Sequence, residues 1–402
     1  MNALADAVRA SLARRETDMF GLLHLLVNVN SYTANIGGCV EMADAMEEAF
    51  KEQGLTVERL AAPGAGDCLV ARTKACAQAT EGGAKQIMLC GHMDTVFAPD
   101  SGFIACEERG DNVHGPGVID MKGGLVAGLY ALVALADAGA LEGIPVAFVC
   151  NADEETGSAH SARIISAEAE KSAFALVFEC GSLDNGVVTG RKGKATYRLE
   201  MLGEAGHAGN LGTAKSSAVL GLAHSVIALE ALNDAETGNT VNVGLVSGGT
   251  GPNTVARKAE AMVDTRFMDA EAGRDLFLAA RRAALAERVP GVTAELKIMS
   301  GRPAWERTKG NARLLEVAQT AGKALGMDVQ DGFRGGVSDA NLIGAIGVPC
   351  LDGMGPLGEF DHSDREYMVR ESLAERAALA ALTMAEAWRL WTDDALFEGT
   401  KE

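Results

Sequence analysis

Gln86-Ile87-Met88-Leu89-Cys90-Gly91-His92-Met93-Asp94-Thr95-Val96 begins as an apolar run and turns abruptly into a segment carrying histidine and aspartate. A short apolar run closed by polar residues reads as a buried strand ending at a loop. Outward from it, Cys68 to Arg72, Pro145 to Asn151 and Phe174 to Phe178 read the same way, with helical periodicity over 121–138 and 160–170. Strands alternating with helices point to a layered α/β domain with a mostly parallel central sheet. Toward the N-terminus, helical periodicity covers the stretch to about Asn28 and again Cys39 to Gln53, closing at Gly54.

After Gly190 the rhythm changes. A strand over Lys194 to Leu202, a helix over Lys215 to Leu232, strands at 240–247 and 258–267, a helix at about 270–287 and a strand at 293–299 follow. That β-α-β-β-α-β order is the ferredoxin-like unit. A helix at 311–325 and a closing helix near 371–392 return to the first pattern. The expected organisation is therefore a domain formed by 1–190 and 304–402, with a ferredoxin-like α+β domain, 191–303, inserted into it.

At 402 residues the chain is long for one core, and 48% apolar with 23% charged residues is a globular composition. The longest apolar run, Leu125 to Ala136, is too short for a membrane span and reads as a buried helix. Arg9, Arg14 and Arg15 are interspersed with Asp6, Glu16 and Asp18, which is unlike a secretion signal, so a cytoplasmic protein is expected. A net charge of −19 repels phosphate backbones and makes nucleic acid a poor partner. The eight cysteines are scattered singly without a C-x-x-C pair, a pattern of buried reduced thiols.

Five segments carry chemistry. They are Gly91 to Val96, the turn Gly115-Pro116-Gly117-Val118-Ile119-Asp120-Met121-Lys122-Gly123-Gly124, Asn151-Ala152-Asp153-Glu154-Glu155-Thr156-Gly157, Phe178-Glu179, and Phe360-Asp361-His362-Ser363-Asp364. Parallel strands would gather them on one rim, beyond the carboxyl ends of the sheet. His92, Asp120, Glu155, Glu179 and His362 then form a nitrogen-and-oxygen donor set suited to zinc, cobalt or manganese. Two ions need a bridging carboxylate, a role open to Asp120. One of the adjacent Glu154 and Glu155 would remain free as a general base, and Asp94 would orient the His92 imidazole. No G-x-S-x-G, H-E-x-x-H or strand-to-helix G-x-G-x-x-G occurs, which disfavours serine hydrolase, single-zinc peptidase and dinucleotide enzymes.

GHMDTV (91–96), GPGVIDMKGG (115–124), NADEETGS (151–158) and FDHSD (360–364) closely resemble the motifs of the co-catalytic metallopeptidase family. That family includes aminoacylase, acetylornithine deacetylase, succinyl-diaminopimelate desuccinylase, peptidase T and the glutamate carboxypeptidases. The resemblance implies two zinc ions bridged by Asp120, with His92 and Glu179 on one and Glu155 and His362 on the other. It makes Glu154 the base and proton shuttle, and it implies a cis peptide at Asp120–Met121. The inserted domain would be a lid that joins two chains in a homodimer. Gly203-Glu204-Ala205-Gly206-His207-Ala208-Gly209 resembles the lid motif whose histidine stabilises the oxyanion in the partner's site, with Gly206 where a small hydroxyl residue is common. Asn253 and Arg266 resemble lid residues that hold the substrate carboxylate, and Gly336 stands in the loop, 335–339, whose amides meet an anion; Asp339 could equally be a helix N-cap. Ser300-Gly301-Arg302-Pro303-Ala304-Trp305 resembles the glutamate carboxypeptidase branch, where the arginine contacts the side-chain carboxylate, although Cys180 follows Glu179 where proline is common.

The implied activity is hydrolysis of an amide or peptide bond beside an amino-acid carboxylate, releasing a C-terminal residue such as glutamate. An N-acyl-amino-acid deacylase or a dipeptidase is the alternative within the class. A catalytically silent binding homologue is the alternative outside it, and would be expected to miss a ligand or the base.

Overall fold

The computed structural model describes residues 1–210, 215–393 and 396–397, less the side chains of 80–82. Two compact units emerge: Met1–Gly190 with Arg307–Phe333 and Ser338–Glu402, and Arg191–Glu306 with Arg334–Val337.

The first unit is built on a six-stranded sheet in the order Thr56–Leu60, Cys68–Arg72, Val146–Asn151, Gln86–His92, Ser172–Val177, Cys350–Leu351. The last four are mutually parallel, and Cys68–Arg72 runs against them. Gln86–His92, Val146–Asn151 and Ser172–Val177 are buried along their whole length. That explains their unbroken apolar character, because a parallel sheet is covered on both faces. The run at 125–136 lies in the helix Lys122–Asp137, buried on nearly every side between the sheet and the helices Asn2–Arg14, Glu16–Asn28 and Ser372–Thr392. Gly124 lets this helix start directly against the sheet: a Cβ there would stand 2.0 Å from the Phe178 carbonyl oxygen.

A second, small sheet in this unit orders Gly358–Glu359, Tyr367–Val369, Asn112–His114 and Glu107–Arg109. Its two- and three-residue strands have no readable periodicity, and they were not expected. The N-terminal helical stretch is likewise two helices, broken at Arg15. None of the eight cysteines is in a disulfide, and seven are buried.

The second unit has a four-stranded antiparallel sheet, Thr240–Gly248, Lys258–Phe267, Gly193–Leu202, Thr293–Arg302, with the helices Ala218–Glu230 and Ala270–Leu285. This is the ferredoxin-like order. Burial alternates strictly along Lys258–Phe267, so Ala259, Ala261, Val263 and Phe267 meet the helices' Leu222, Leu229, Leu276 and Ala280. The opposite face carries ion pairs such as Arg198–Glu260 and Lys258–Glu200. The unit extends to Glu306 and takes in 334–337, beyond the expected limit at 303. The reason is polar: Lys192 N donates to Arg334 O, Arg191 Nη1 to Gly336 O and Arg266 Nη1 to Gly335 O.

Among the described residues, no helix is long and apolar enough to cross a membrane.

Candidate metal centre

Three neighbouring parallel strands deliver the first residues. Gln86–His92 ends on His92, Val146–Asn151 leads into a short turn at Glu154–Thr156, and Ser172–Val177 is followed by Glu179. Asp120 precedes the helix Lys122–Asp137, and the Asp120–Met121 peptide is cis as expected. His362 stands in the turn after Gly358–Glu359, with Phe360 and His362 both in the left-handed region.

These side chains meet. His92 Nε2 lies 3.0 Å from Asp120 Oδ1 and 3.8 Å from Glu179 Oε1. His362 Nε2 lies 3.1 Å from Asp120 Oδ2 and 3.1 Å from Glu155 Oε2. The two oxygens of one carboxylate therefore face two different imidazoles, each accompanied by a further glutamate. Donor atoms of His92, Asp120 and Glu155 all fall within 4.8 Å of one another.

Asp94 does more than was expected of it. His92 Nδ1 is 3.4 Å from Asp94 Oδ1, but closer, at 3.0 Å, to the Asp94 backbone oxygen. An N–H on Nδ1 leaves the Nε2 lone pair directed at the cluster. The Asp94 carboxylate instead accepts from the backbone amides of Glu154 (3.2 Å) and Glu155 (3.3 Å) and from Thr33 Oγ1 (2.7 Å). It thereby fixes the turn carrying both glutamates. Asp153 faces inward, taking Ser161 Oγ at 2.5 Å and His160 N at 2.8 Å. Asp339 does not cap its helix; its carboxylate accepts from Asn151 Nδ2 (2.8 Å) and Ser158 Oγ (2.6 Å).

The electrostatics record crowded negative charge. Burial raises Glu179 well above the usual carboxylate range, and the nearby Asp120 charge adds to it. Glu155 is raised by the same two causes in the same order. Burial opposes charge on Asp120, yet His362 and His92 hold its carboxyl below the usual range. The Asp120 and Glu155 carboxylates push the His362 imidazole up to about 11. Burial also opposes a charged His92, but Asp120 and Asp94 outweigh it. Glu155 Oε1 is buried without a hydrogen-bond partner. Buried carboxylates with a spare oxygen are costly unless a cation meets them. The donor set, imidazole and carboxylate without thiolate, fits that cation as zinc or a metal of similar demand.

The remaining expected residues belong to the second unit. His207 is exposed on the strand Gly206–His207, which pairs with Thr254–Val255, and Asn253 accepts from Ala208 N at 2.9 Å. His207 and Asn253 are thus neighbours. Arg266 Nε lies 2.8 Å from Asp264 Oδ1, while its Nη1 reaches Gly335 O at 3.4 Å, beside Gly336. Arg302 is buried at the end of Thr293–Arg302, opposite Lys194.

One residue at the centre escaped sequence reasoning. The buried Glu366 accepts from Gly117 N (3.1 Å), Ile119 N (2.9 Å) and Asp120 N (3.2 Å). Its partners are backbone amides, which leave no trace in a sequence.

Comparison with known proteins agrees with this geometry. Carboxypeptidase G2 of Pseudomonas sp. (strain RS-16) is 28% identical over 370 residues, covering 89% of this chain and 86% of that protein. A succinyl-diaminopimelate desuccinylase of Novosphingobium aromaticivorans is 25% identical over 390 residues, covering 92% and 100%. A metallo-carboxypeptidase from Sulfolobus solfataricus shares the fold with a TM-score of 0.76 at 16% identity, over 91% of this chain and 98% of that one. The sequence profile of the peptidase family M20/M25/M40 matches residues 88–386. A rim of imidazoles and carboxylates on this sheet, within this profile, has one meaning: the chain is a metal-dependent hydrolase and belongs to peptidase family M20/M25/M40.

Proposed function

We propose that the chain releases a C-terminal amino acid, glutamate foremost, by hydrolysing the amide or peptide bond beside its carboxylate, with two zinc ions held across Asp120. The observation that carries this is the Asp120 carboxylate, whose two oxygens each face a separate imidazole–glutamate pair. His92 and Glu179 would hold one ion, Glu155 and His362 the other; cobalt or manganese would meet the same donors. Bound there, the metal supplies Lewis-acid polarisation of the scissile carbonyl and an acidified water.

The chain's own groups do the rest. Glu154 takes the proton of the attacking water and passes it to the leaving nitrogen as the C–N bond breaks. Asp94 holds Glu154 in place through its amide. His207, contributed by a second copy, donates to the developing oxyanion. Asn253, Arg266 and the Gly336 amide receive the substrate carboxylate, and Arg302 its side-chain carboxylate; a guanidinium suits this because its planar fork binds carboxylate in pairs of hydrogen bonds. Dimerisation through the second unit is supported by Leu245 and Val246, exposed on its edge strand, and by Ile227, exposed on a helix. A small peptide or N-acyl amino acid is the substrate class, and a cytoplasmic location agrees with eight cysteines outside disulfides.

The desuccinylase relative, matched over its whole length, favours a second reading as an N-acyl-amino-acid deacylase. Steady-state hydrolysis of peptidyl glutamates, peptidyl aspartates, neutral dipeptides and N-succinyl amino acids separates the two. The carboxypeptidase reading expects glutamate release, with kcat/KM on that substrate falling roughly tenfold to hundredfold in Arg302→Ala through loss of a charged hydrogen bond. A preference for N-succinyl amino acids, untouched by Arg302→Ala, would replace it with the deacylase.

A further inference from the structure

The small sheet of the first unit joins two metal-holding residues that lie far apart in sequence. Its strand Tyr367–Val369 pairs with Asn112–His114, with Tyr367 opposite His114. On one side of that pairing the chain runs back to the His362 turn. On the other it runs on through Gly115 into the loop that ends at Asp120. The backbone ladder stops at this pair, and the side chain of Glu366, the residue before Tyr367, carries the connection further. Its Oε1 accepts from Ile119 N and Asp120 N, and its Oε2 from Gly117 N. Glu366 is fully buried, so no solvent stands ready to replace these bonds.

We propose that Glu366 is a positioning residue that sets the spacing of Asp120 and His362 and so fastens the zinc ion those two share with Glu155. The proposal rests on the two-zinc reading above. Only a carboxylate of this length serves all three amides. Glutamine presents one oxygen and turns an N–H₂ toward a backbone donor, and aspartate is shorter by one methylene. His362 is the most exposed of the five, 56% against 1% for His92, so slack between the two segments falls on its side of Asp120.

The test is zinc affinity by competition with a chromophoric chelator, using the full chain and four forms: wild type, Glu366→Gln, Glu366→Asp and Glu168→Gln. Glu168 is another buried carboxylate, paired with Arg72 away from the cluster, and controls for general loss of stability. The expected result is two tightly held ions in wild type and in Glu168→Gln. In Glu366→Gln one of the two should weaken by about tenfold to hundredfold, the usual cost of losing a group that orients a ligand, with Glu366→Asp between. Folded Glu366→Gln holding both ions as wild type does would overturn the positioning role alone. Should the glutamine form not fold, Glu366→Asp decides in the same way. Wild type failing to hold two ions would instead take down the two-zinc reading and this proposal with it.

Discussion

The residues of the first unit proposed to hold metal and those of the second proposed to meet substrate are held in opposite ways. His92 is 1% exposed, and its ring is locked between the Asp94 backbone oxygen and Asp120. Glu154 and Glu155 hang from one buried aspartate, and Asp120 from Glu366. His207, by contrast, is exposed, and its ring accepts from the Gly209 amide, two residues along its own loop. Asn253 is exposed beside it. The first region spends its ordering entropy on folding, so its geometry is present before substrate arrives. On the proposed reading the second leaves that cost to binding. Donor groups that must hold a fixed distance to an ion belong in the first class, and groups that need only meet a substrate can belong in the second.

Substitution should divide along the same line. The largest effect expected is from Glu154→Gln, which on the proposed mechanism removes the proton carrier but no ligand. Turnover should fall by roughly 10²–10⁴-fold while metal content measured by mass spectrometry stays at the wild-type value. Lost metal would mean that Glu154 belongs with the ligands, and the division within the Glu154-Glu155 pair would be wrong. Next is His207→Ala. Its kcat should drop by about 10²–10³-fold, as for a lost oxyanion donor, with thermal stability and metal content unchanged because the side chain is exposed. Mixing His207→Ala with Glu154→Ala subunits should restore part of the activity, and no recovery would argue against action between subunits.

The smallest effect concerns stability alone. Burial opposes charge on Glu168, but hydrogen bonds from Arg72, Lys171 and Gln86 hold its carboxyl down to about 2. A depressed carboxyl stabilises the fold at pH above its ordinary value, and that contribution is lost as pH falls from about 4.5 toward 2. On the order of 3 kcal/mol is at stake. Denaturant unfolding at pH 7 and pH 3 should show wild type losing more stability on acidification than Glu168→Gln. Equal losses would mean the ion pair does not hold this part of the first unit.

The same contrast explains what the sequence disclosed. Strands such as Gln86–His92 and Val146–Asn151 announce themselves as unbroken apolar runs because both faces are covered, and the polar residue that follows each run marks the rim. The β-α-β-β-α-β order of the second unit is equally plain from alternating burial. What stayed hidden is what acts through the backbone: Glu366 gripping three amides, Asp94 gripping two, and the small sheet whose strands are shorter than any periodic window. Asp153 and Glu154 are neighbouring acids in the sequence; the Ser161 and His160 contacts turn Asp153 inward.

On the proposed reading the one Asp120 carboxylate serves two ions. Anomalous diffraction from crystals of the zinc-loaded protein tests it directly. Two peaks about 3.5–4 Å apart, each bonded to a different Asp120 oxygen, are the predicted result. A single peak, or two peaks that leave either Asp120 oxygen without an ion, would contradict it.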